Sequence, residues 1–119
     1  MIAVIFEVFP ARGQKSTYMD IAADLKNELQ KIDGFISVER YQSLSDPDKI
    51  LSLSFFRDEE AVKRWRTSFI HRSAQAAGRS GVFANYRLRV ADVTRDYGLN
   101  NRDQAPQDSR NFHHERELS

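Results

Sequence analysis

One segment of the sequence carries several side chains that could bind and activate a small molecule. It extends from residue 65 to residue 79 and contains the only tryptophan, Trp65, together with His71 and Gln75. An indole ring stacks on flat molecules and donates an N–H hydrogen bond, and an imidazole with a pKa near neutrality can take a proton from a phenol. We therefore predict Trp65 and His71 as catalytic residues and Gln75 as a substrate-binding residue. The simpler alternatives are a core tryptophan and a histidine on the helix surface or at a helix cap.

Three further candidates lie on predicted strands. Arg40 could face an anionic substrate, Tyr86 follows shortly after the first segment, and Glu7 interrupts an otherwise apolar strand. A buried carboxylate must be paired or protonated, and an arginine on a strand is often exposed or paired with an acid. We predict Arg40, Tyr86 and Glu7 as substrate-binding residues. The alternative for Glu7 is a structural salt bridge with Arg40, Arg87 or Arg89.

Composition and spacing exclude several other kinds of chemistry. The 119 residues contain no cysteine, which removes disulfides, thiol catalysis and cysteine-ligated zinc. The segment His113-His114-Glu115 lacks the spacing that places two imidazoles on one helical face, and residues 78–81 do not match a phosphate-binding loop. The net charge is +1, and the basic residues are interspersed with acids rather than gathered in a patch. We predict neither a metal site nor a nucleic-acid partner.

The length and the distribution of apolar residues indicate one domain followed by a tail. The apolar residues 2–9 are too few to span a membrane and include Glu7, so we expect a cytoplasmic protein without membrane association. A chain of 119 residues supports one hydrophobic core, which we assign to residues 1–97. Residues 98–119 are polar and poor in aliphatic side chains. They are predicted to form a tail that is flexible or draped on a partner.

The apolar patterns predict four strands and two helices. Strand-like patterns cover residues 2–9, 35–41, 49–56 and 83–95. Helical spacing predicts a first helix that is capped by Ser16 or Thr17 and ends at Asp33-Gly34, and a second helix that follows Asp58. The order β-α-β-β-α-β is typical of the α+β ferredoxin-like fold, in which two helices cover one face of a four-stranded antiparallel sheet.

The second helix must be interrupted if its polar residues are to act together. In a continuous helix with about 100° per residue, His71 would lie roughly 120° and Gln75 roughly 80° away from Trp65. The helical pattern weakens at Thr67-Ser68. A break at this point would bring the three side chains back to one side.

The first strand predicts a homodimer. Its two faces are both largely apolar, whereas the helices of this fold cover only one face of the sheet. In so short a chain the simplest cover for the other face is a second copy, with the two sheets packed face to face.

In its order of motifs the chain resembles the antibiotic biosynthesis monooxygenase family of dimeric α/β-barrel proteins. The resemblance covers roughly residues 2–97. It depends on Trp65, on residues 71–79, and on the final strand from Phe83 through Tyr86 to Tyr97, with weaker support from Gly34-Phe35 and residues 54–61. It implies the ferredoxin-like fold, a dimer and a cleft between the helices and the sheet of each protomer.

The resemblance implies three functions, which we rank. The first is a cofactor-independent monooxygenase that acts on an aromatic phenol, a quinol or a polyketide-like compound. The second is a non-catalytic dimeric barrel that binds a small molecule or acts as a stress-related or interaction module. The third is haem binding or degradation, for which the family uses an asparagine, a tryptophan and a histidine at the positions that here hold Glu7, Trp65 and Gln75. Only the tryptophan matches, and glutamine is a poor axial ligand, so no cofactor is predicted.

Overall fold

The computed structural model of the chain describes residues 1–111, apart from the side chains of residues 69–70 and 77–79. The segment His113-His114-Glu115 therefore lies outside the described residues. The elements follow in the order β1 (Ile2–Pro10), α1 (Lys15–Leu29), β2 (Phe35–Gln42), β3 (Ile50–Phe56), α2 (Glu59–Arg66), α3 (Phe69–Ala77), a π-helical turn (Gly78–Val82) and β4 (Phe83–Asp92).

The four strands form one antiparallel sheet in the order β2-β3-β1-β4. This arrangement confirms the predicted α+β ferredoxin-like fold and the hairpin of the second and third strands. The final strand ends at Asp92, three residues before the predicted end at Arg95. Beyond it, the Val93 N–H still donates to the Met1 carbonyl at 3.0 Å.

The ends of the first helix differ from the prediction. The helix starts after Gln14, whose side chain makes no capping hydrogen bond, and it ends at Leu29. Ser16 and Thr17 lie inside the first turn. Gly34 does not cap the helix; it has a φ of 92° and turns the chain into β2. A Cβ atom at this position would lie 2.7 Å from the Cβ of Ala61, so the turn requires glycine for space as well as for conformation.

The predicted second helix is divided into two. Asp58 caps α2 as predicted, because its Oδ1 accepts from the Ala61 N–H at 2.9 Å. The Thr67 hydroxyl donates to the Lys63 carbonyl at 2.7 Å where α2 ends. The Ser68 hydroxyl then accepts from the His71 N–H at 3.2 Å, which is an N-cap for α3. Thr67-Ser68 is thus the break that the weakened helical pattern indicated, and each half has its own cap.

The three helices pack on one face of the sheet and form two groups of buried side chains. At one end, Phe56 and Leu29 are almost fully buried, and Trp65 packs against their group. At the other end, Val8 is fully buried among Tyr18, Ala22, Ile50 and Val82. The space between the two groups is the cavity described below.

The opposite face of the sheet is not covered by these helices. Because side chains alternate along a strand, this face carries Ile5 and Glu7 of β1 and Leu51, Leu53 and Phe55 of β3. All five are only partly buried. This face therefore offers an apolar surface to the predicted second copy, which stays a prediction.

Residues after β4 make local contacts with one another. The Asp96 N–H donates to Oε1 of Gln104 at 2.8 Å, and the Arg102 guanidinium lies 5.2 Å from the centre of the Tyr97 ring. Ala105 is only 6% exposed. The domain boundary at residue 97 and the draping of the tail on a partner stay predictions. Among residues 1–111, the structure contains no helix of the length and apolarity needed to cross a membrane.

Candidate active site

A cavity of about 180 Å³ lies between the helices and the sheet. Its apolar lining comes from the strands and from α1, for example from Val4, Val90 and Leu25. Of the six predicted site residues, five line it: Arg40, Trp65, His71, Gln75 and Tyr86. The cavity is smaller than the roughly 300–1,000 Å³ of pockets for drug-sized ligands, which favours a small substrate.

Trp65 and His71 form the polar centre of the cavity wall. Their ring centroids are 4.1 Å apart, with an angle of 54° between the planes. Trp65 also stacks on Phe56 at 5.7 Å, so it is both a core residue and a wall of the cavity. Trp65 Nε1 and His71 Nδ1 are buried, and neither has a hydrogen-bond partner within the described part of the chain. Such unsatisfied groups are costly, and a polar atom of a bound molecule would satisfy them.

The pKa of His71 differs from the predicted value near neutrality. Burial, together with the nearby charge of Arg72, lowers it to about 4. The imidazole is therefore neutral at physiological pH. A group with so low a pKa is a weak general base. The low pKa of His71 therefore favours hydrogen bonding to the substrate over the predicted proton abstraction.

Gln75 and Tyr86 lie at different parts of the same cavity. Gln75 is one helical turn after His71 on α3 and lines the cavity with Ala74. Tyr86 is 51% exposed and lies edge-on to Phe6, with ring centroids 5.6 Å apart. Because Tyr86 is on the edge strand β4, its exposed ring borders the open side of the cavity.

Arg40 lies on β2, and the positive charge of its guanidinium is not neutralised by an ion pair with the described residues. Its Nε is buried without a hydrogen-bond partner, and no carboxylate among residues 1–111 forms an ion pair with it. It does interact with the hydroxyl of Tyr18, which is 4% exposed. Burial raises the pKa of Tyr18, and the Arg40 guanidinium offsets part of that rise.

Glu7 is the one predicted site residue that the structure places elsewhere. Its carboxylate lies on the opposite face of the sheet, 3.5 Å from Nζ of Lys49 and 3.5 Å from Nη1 of Arg89. It does not line the cavity with Trp65. A strand alternates faces with every residue, so Glu7 is directed away from the side to which Phe6 and Val8 point. The alternative of a structural salt bridge describes Glu7 better than substrate binding.

Four polar residues of the cavity wall were not predicted from the sequence: Tyr18, Ser52, Ser54 and Arg66. Ser52 and Ser54 alternate with leucines on β3, and small polar side chains on the inner face of an apolar strand are a signal for a cavity. Tyr18 lies on the apolar side of α1, where its ring packs into the core. Arg66 directly follows Trp65 and gave no separate signal.

The residues that surround the cavity do not fit haem. Glu7, at the position of the haem-degrading branch's asparagine, lies outside the cavity. Gln75, at the position of the axial histidine, offers only an amide. His71 is packed against the Trp65 ring at 4.1 Å, which leaves no space for a macrocycle between them.

Comparisons with known proteins agree with this fold. Residues 1–77 match the model of the family described as antibiotic biosynthesis monooxygenase. The chain is 55% identical over 94 residues to a protein named jasmonate monooxygenase ABM from Pyricularia oryzae, a match that covers 79% of this chain and 44% of that protein. The chain thus spans less than half the length of this curated relative.

Solved structures show the same fold at low sequence identity. A protein from Deinococcus radiodurans has a TM-score of 0.76 at 10% identity, with 83% of this chain and 98% of that chain covered. A protein from Mycobacterium tuberculosis has a TM-score of 0.74 at 16% identity, with 82% and 98% covered. The family match extends over most of the domain, including Trp65, His71 and Gln75. The chain belongs to the antibiotic biosynthesis monooxygenase family.

Proposed function

We propose that this protein is a monooxygenase that oxidises a small, mainly apolar molecule in the cavity beside Trp65 and His71. The observation that carries the proposal is the pair of buried, unsatisfied nitrogen atoms, Trp65 Nε1 and His71 Nδ1, on the wall of an otherwise apolar cavity. The indole N–H can hold a substrate oxygen, and the neutral imidazole can share a proton with it. The apolar lining excludes water from the oxidised carbon.

Separate observations support two substrate classes. The 55% identity to a protein named jasmonate monooxygenase supports a jasmonate-like organic acid. The rings of Phe6, Phe83 and Tyr86, which lie within 6.0 Å of one another, support an aromatic phenol, quinol or polyketide-like compound. Oxidation of the two classes by O₂ differs in the number of electrons that must come from a donor other than the substrate.

The electron balance separates them. A methylene activated by a phenol or an enol can react with O₂ to give a carbonyl and water, and the substrate then supplies all the electrons. Hydroxylation of an unactivated carbon gives an alcohol and water only if two further electrons and two protons are supplied, for example by a reduced nicotinamide. We propose that an activated substrate is oxidised without a resident cofactor, because it supplies all the electrons itself.

We further propose that the active form is a homodimer. The support is the partly exposed apolar face formed by Ile5, Leu51, Leu53 and Phe55, which the helices leave uncovered. A second sheet packed on this face would bury it as a sandwich does.

Oxygen uptake and product mass spectrometry test the proposal. The panel contains jasmonic acid, anthrones and hydroquinones, each with and without NADPH. In Trp65→Phe, which keeps the ring stacking but removes the N–H, we expect kcat/KM to fall about 10-fold or more. Tyr41→Phe, a change on an exposed aromatic ring outside the cavity, should leave turnover unchanged.

Two results would contradict the proposal. Binding without turnover of any compound would favour the non-catalytic barrel. A sharp Soret shift on titration with haemin, lost in His71→Ala, would favour the haem function instead.

A further inference from the structure

The cavity contains two arginines and no acid. Arg40 and Arg66 both line it, whereas none of the lining residues in the described part of the chain is an aspartate or a glutamate. The side chain of Arg66 is exposed and forms no ion pair with the described residues. The positive charge of this cavity is therefore uncompensated within the described chain.

Arg40 is the more informative of the two because it is partly buried. Removing a charged group from water is costly unless it is paired, and the buried Nε of Arg40 has no hydrogen-bond partner among residues 1–111. The Tyr18 hydroxyl can accept a hydrogen bond from the guanidinium, but it brings no negative charge. A bound anion would supply both the missing charge and the missing acceptor.

The position of Arg40 separates it from the Trp65–His71 pair. In the sheet, Arg40 lies opposite Ser52, and Ser52 lies opposite Phe6. Trp65 stacks instead on Phe56, which is four residues further along β3, or about 13 Å of strand. The cavity thus has Arg40 at one end, at the level of Phe6 in the sheet, and Trp65, which Arg66 directly follows in the chain, at the other.

We propose that Arg40 and Tyr18 anchor the carboxylate of a small apolar acid, so that the carbon atoms remote from the carboxylate lie beside Trp65 and His71. This proposal rests on the proposed function and deepens it, because it names the substrate class and predicts where oxidation occurs. Hydroxylation of an unactivated C–H bond at that position consumes one O₂, two protons and two electrons from an external donor such as a reduced nicotinamide, and it releases one water. The planar fork of a guanidinium matches the two oxygens of a carboxylate better than the single oxygen of a phenolate. The Tyr18 hydroxyl, which can accept a hydrogen bond from Arg40, keeps its own proton to donate to the second carboxylate oxygen.

Binding can be measured without turnover because the chain has a single tryptophan. Trp65 lines the cavity, so its fluorescence reports occupancy directly. The probes are jasmonic acid, its methyl ester and 1-naphthol. The variants are Arg40→Met and, as a matched control, Arg89→Met, which removes a strand arginine that is paired with Glu7 on the other face.

We expect Arg40→Met to raise the Kd of jasmonic acid about 10- to 100-fold and to leave that of the methyl ester nearly unchanged. Arg40→Lys should restore part of the loss, and Arg89→Met should change neither Kd. If Arg40→Met does not fold, Tyr18→Phe provides the test, since it removes one hydrogen bond and should weaken binding of the acid alone by about 5-fold.

Three results would overturn the proposal. They are equal affinity of the wild type for the acid and its ester, equal effects of the Arg40 and Arg89 substitutions, and an Arg40-dependent preference for 1-naphthol over the acid. Failure of the proposed function is distinguishable, because the anchor is supported by Arg40-dependent binding even when no substrate is oxidised. Conversely, turnover that is independent of Arg40 would support the monooxygenase function and contradict the role of Arg40 as a carboxylate anchor.

Discussion

The two faces of the sheet carry arginines in opposite electrostatic settings. On the uncovered face, Arg89 and Lys49 share the carboxylate of Glu7, each at 3.5 Å. On the cavity face, Arg40 interacts with a tyrosine hydroxyl, and no acid is within reach among residues 1–111. A paired cation is explained by the fold alone. The partly buried guanidinium of Arg40 has no such partner among the described residues, so the packing of residues 1–111 alone does not compensate its charge.

The two faces also differ in how completely the chain buries them. Phe56 and Val8 on the cavity face are 0% exposed, while Leu51, Leu53 and Phe55 on the other face are only partly buried. The helices bury most of the β1 and β3 residues of the cavity face but leave Tyr86, Leu88 and Val90 of β4 about half exposed. Substitutions on the two faces should therefore have different consequences.

The largest expected difference is between Phe56→Ala and Leu53→Ala. Loss of the Phe56 ring removes the support of both Phe35 and Trp65 and should lower the free energy of unfolding by about 3–5 kcal/mol. Leu53→Ala should cost about 1–2 kcal/mol, with a loss that depends on protein concentration if a second copy covers this face. Chemical denaturation at two protein concentrations measures both. Equal, concentration-independent losses would contradict the difference between the faces.

A smaller effect should appear in the pH dependence of stability. The folded pKa of His71 is about 4, below its unfolded value near 6.5, so protonation favours unfolding. The stability is complete above about pH 6.5 and should decrease by roughly 1–2 kcal/mol as the pH falls to about 4, allowing for partial solvent screening. The difference between the wild type and His71→Gln, followed by denaturation from pH 7 to pH 4, isolates this contribution. An identical pH profile in the two proteins would refute it.

The smallest effect is expected for Glu7→Gln. The ion pairs with Lys49 and Arg89 are partly exposed, so their loss should cost less than about 1 kcal/mol and should leave ligand binding in the cavity unchanged. Thermal unfolding and Trp65 fluorescence titration provide the two measurements. A substantial loss of affinity would return Glu7 to the substrate-binding residues.

The fold was predictable from the sequence where local signals agree with tertiary packing. Strands β1 to β3 are marked by dense apolar residues, and Asp58 is a strong helix cap whose role the structure confirms. The bounds of α1 were predicted less well, because Gln14 makes no capping bond and Gly34 has its positive φ for a turn beyond the helix. Beyond Leu29 the chain continues in turns, in which the Ile32 N–H donates to the Leu29 carbonyl at 3.0 Å and the Phe35 N–H donates to the Ile32 carbonyl at 3.1 Å.

The site was predictable in part for similar reasons. The helical angles indicated that Trp65 and His71 meet only if Thr67-Ser68 interrupts the helix, and the paired caps at these residues provide the interruption. The strength of burial around His71 could not be derived from its neighbours in sequence, so its low pKa was missed. Tyr18 was missed because a tyrosine on an apolar stripe gives the same pattern whether or not its hydroxyl meets a cation.

Ser52 and Ser54 give the cavity its depth, and their location separates two properties of the protein. They form part of its floor on β3, whereas Trp65 and His71 lie on helices above it. Exchanging the serines for valine or leucine would reduce the space available to a ligand at the sheet without altering Trp65 and His71. Size selectivity and reactivity can therefore diverge independently among proteins that share this architecture.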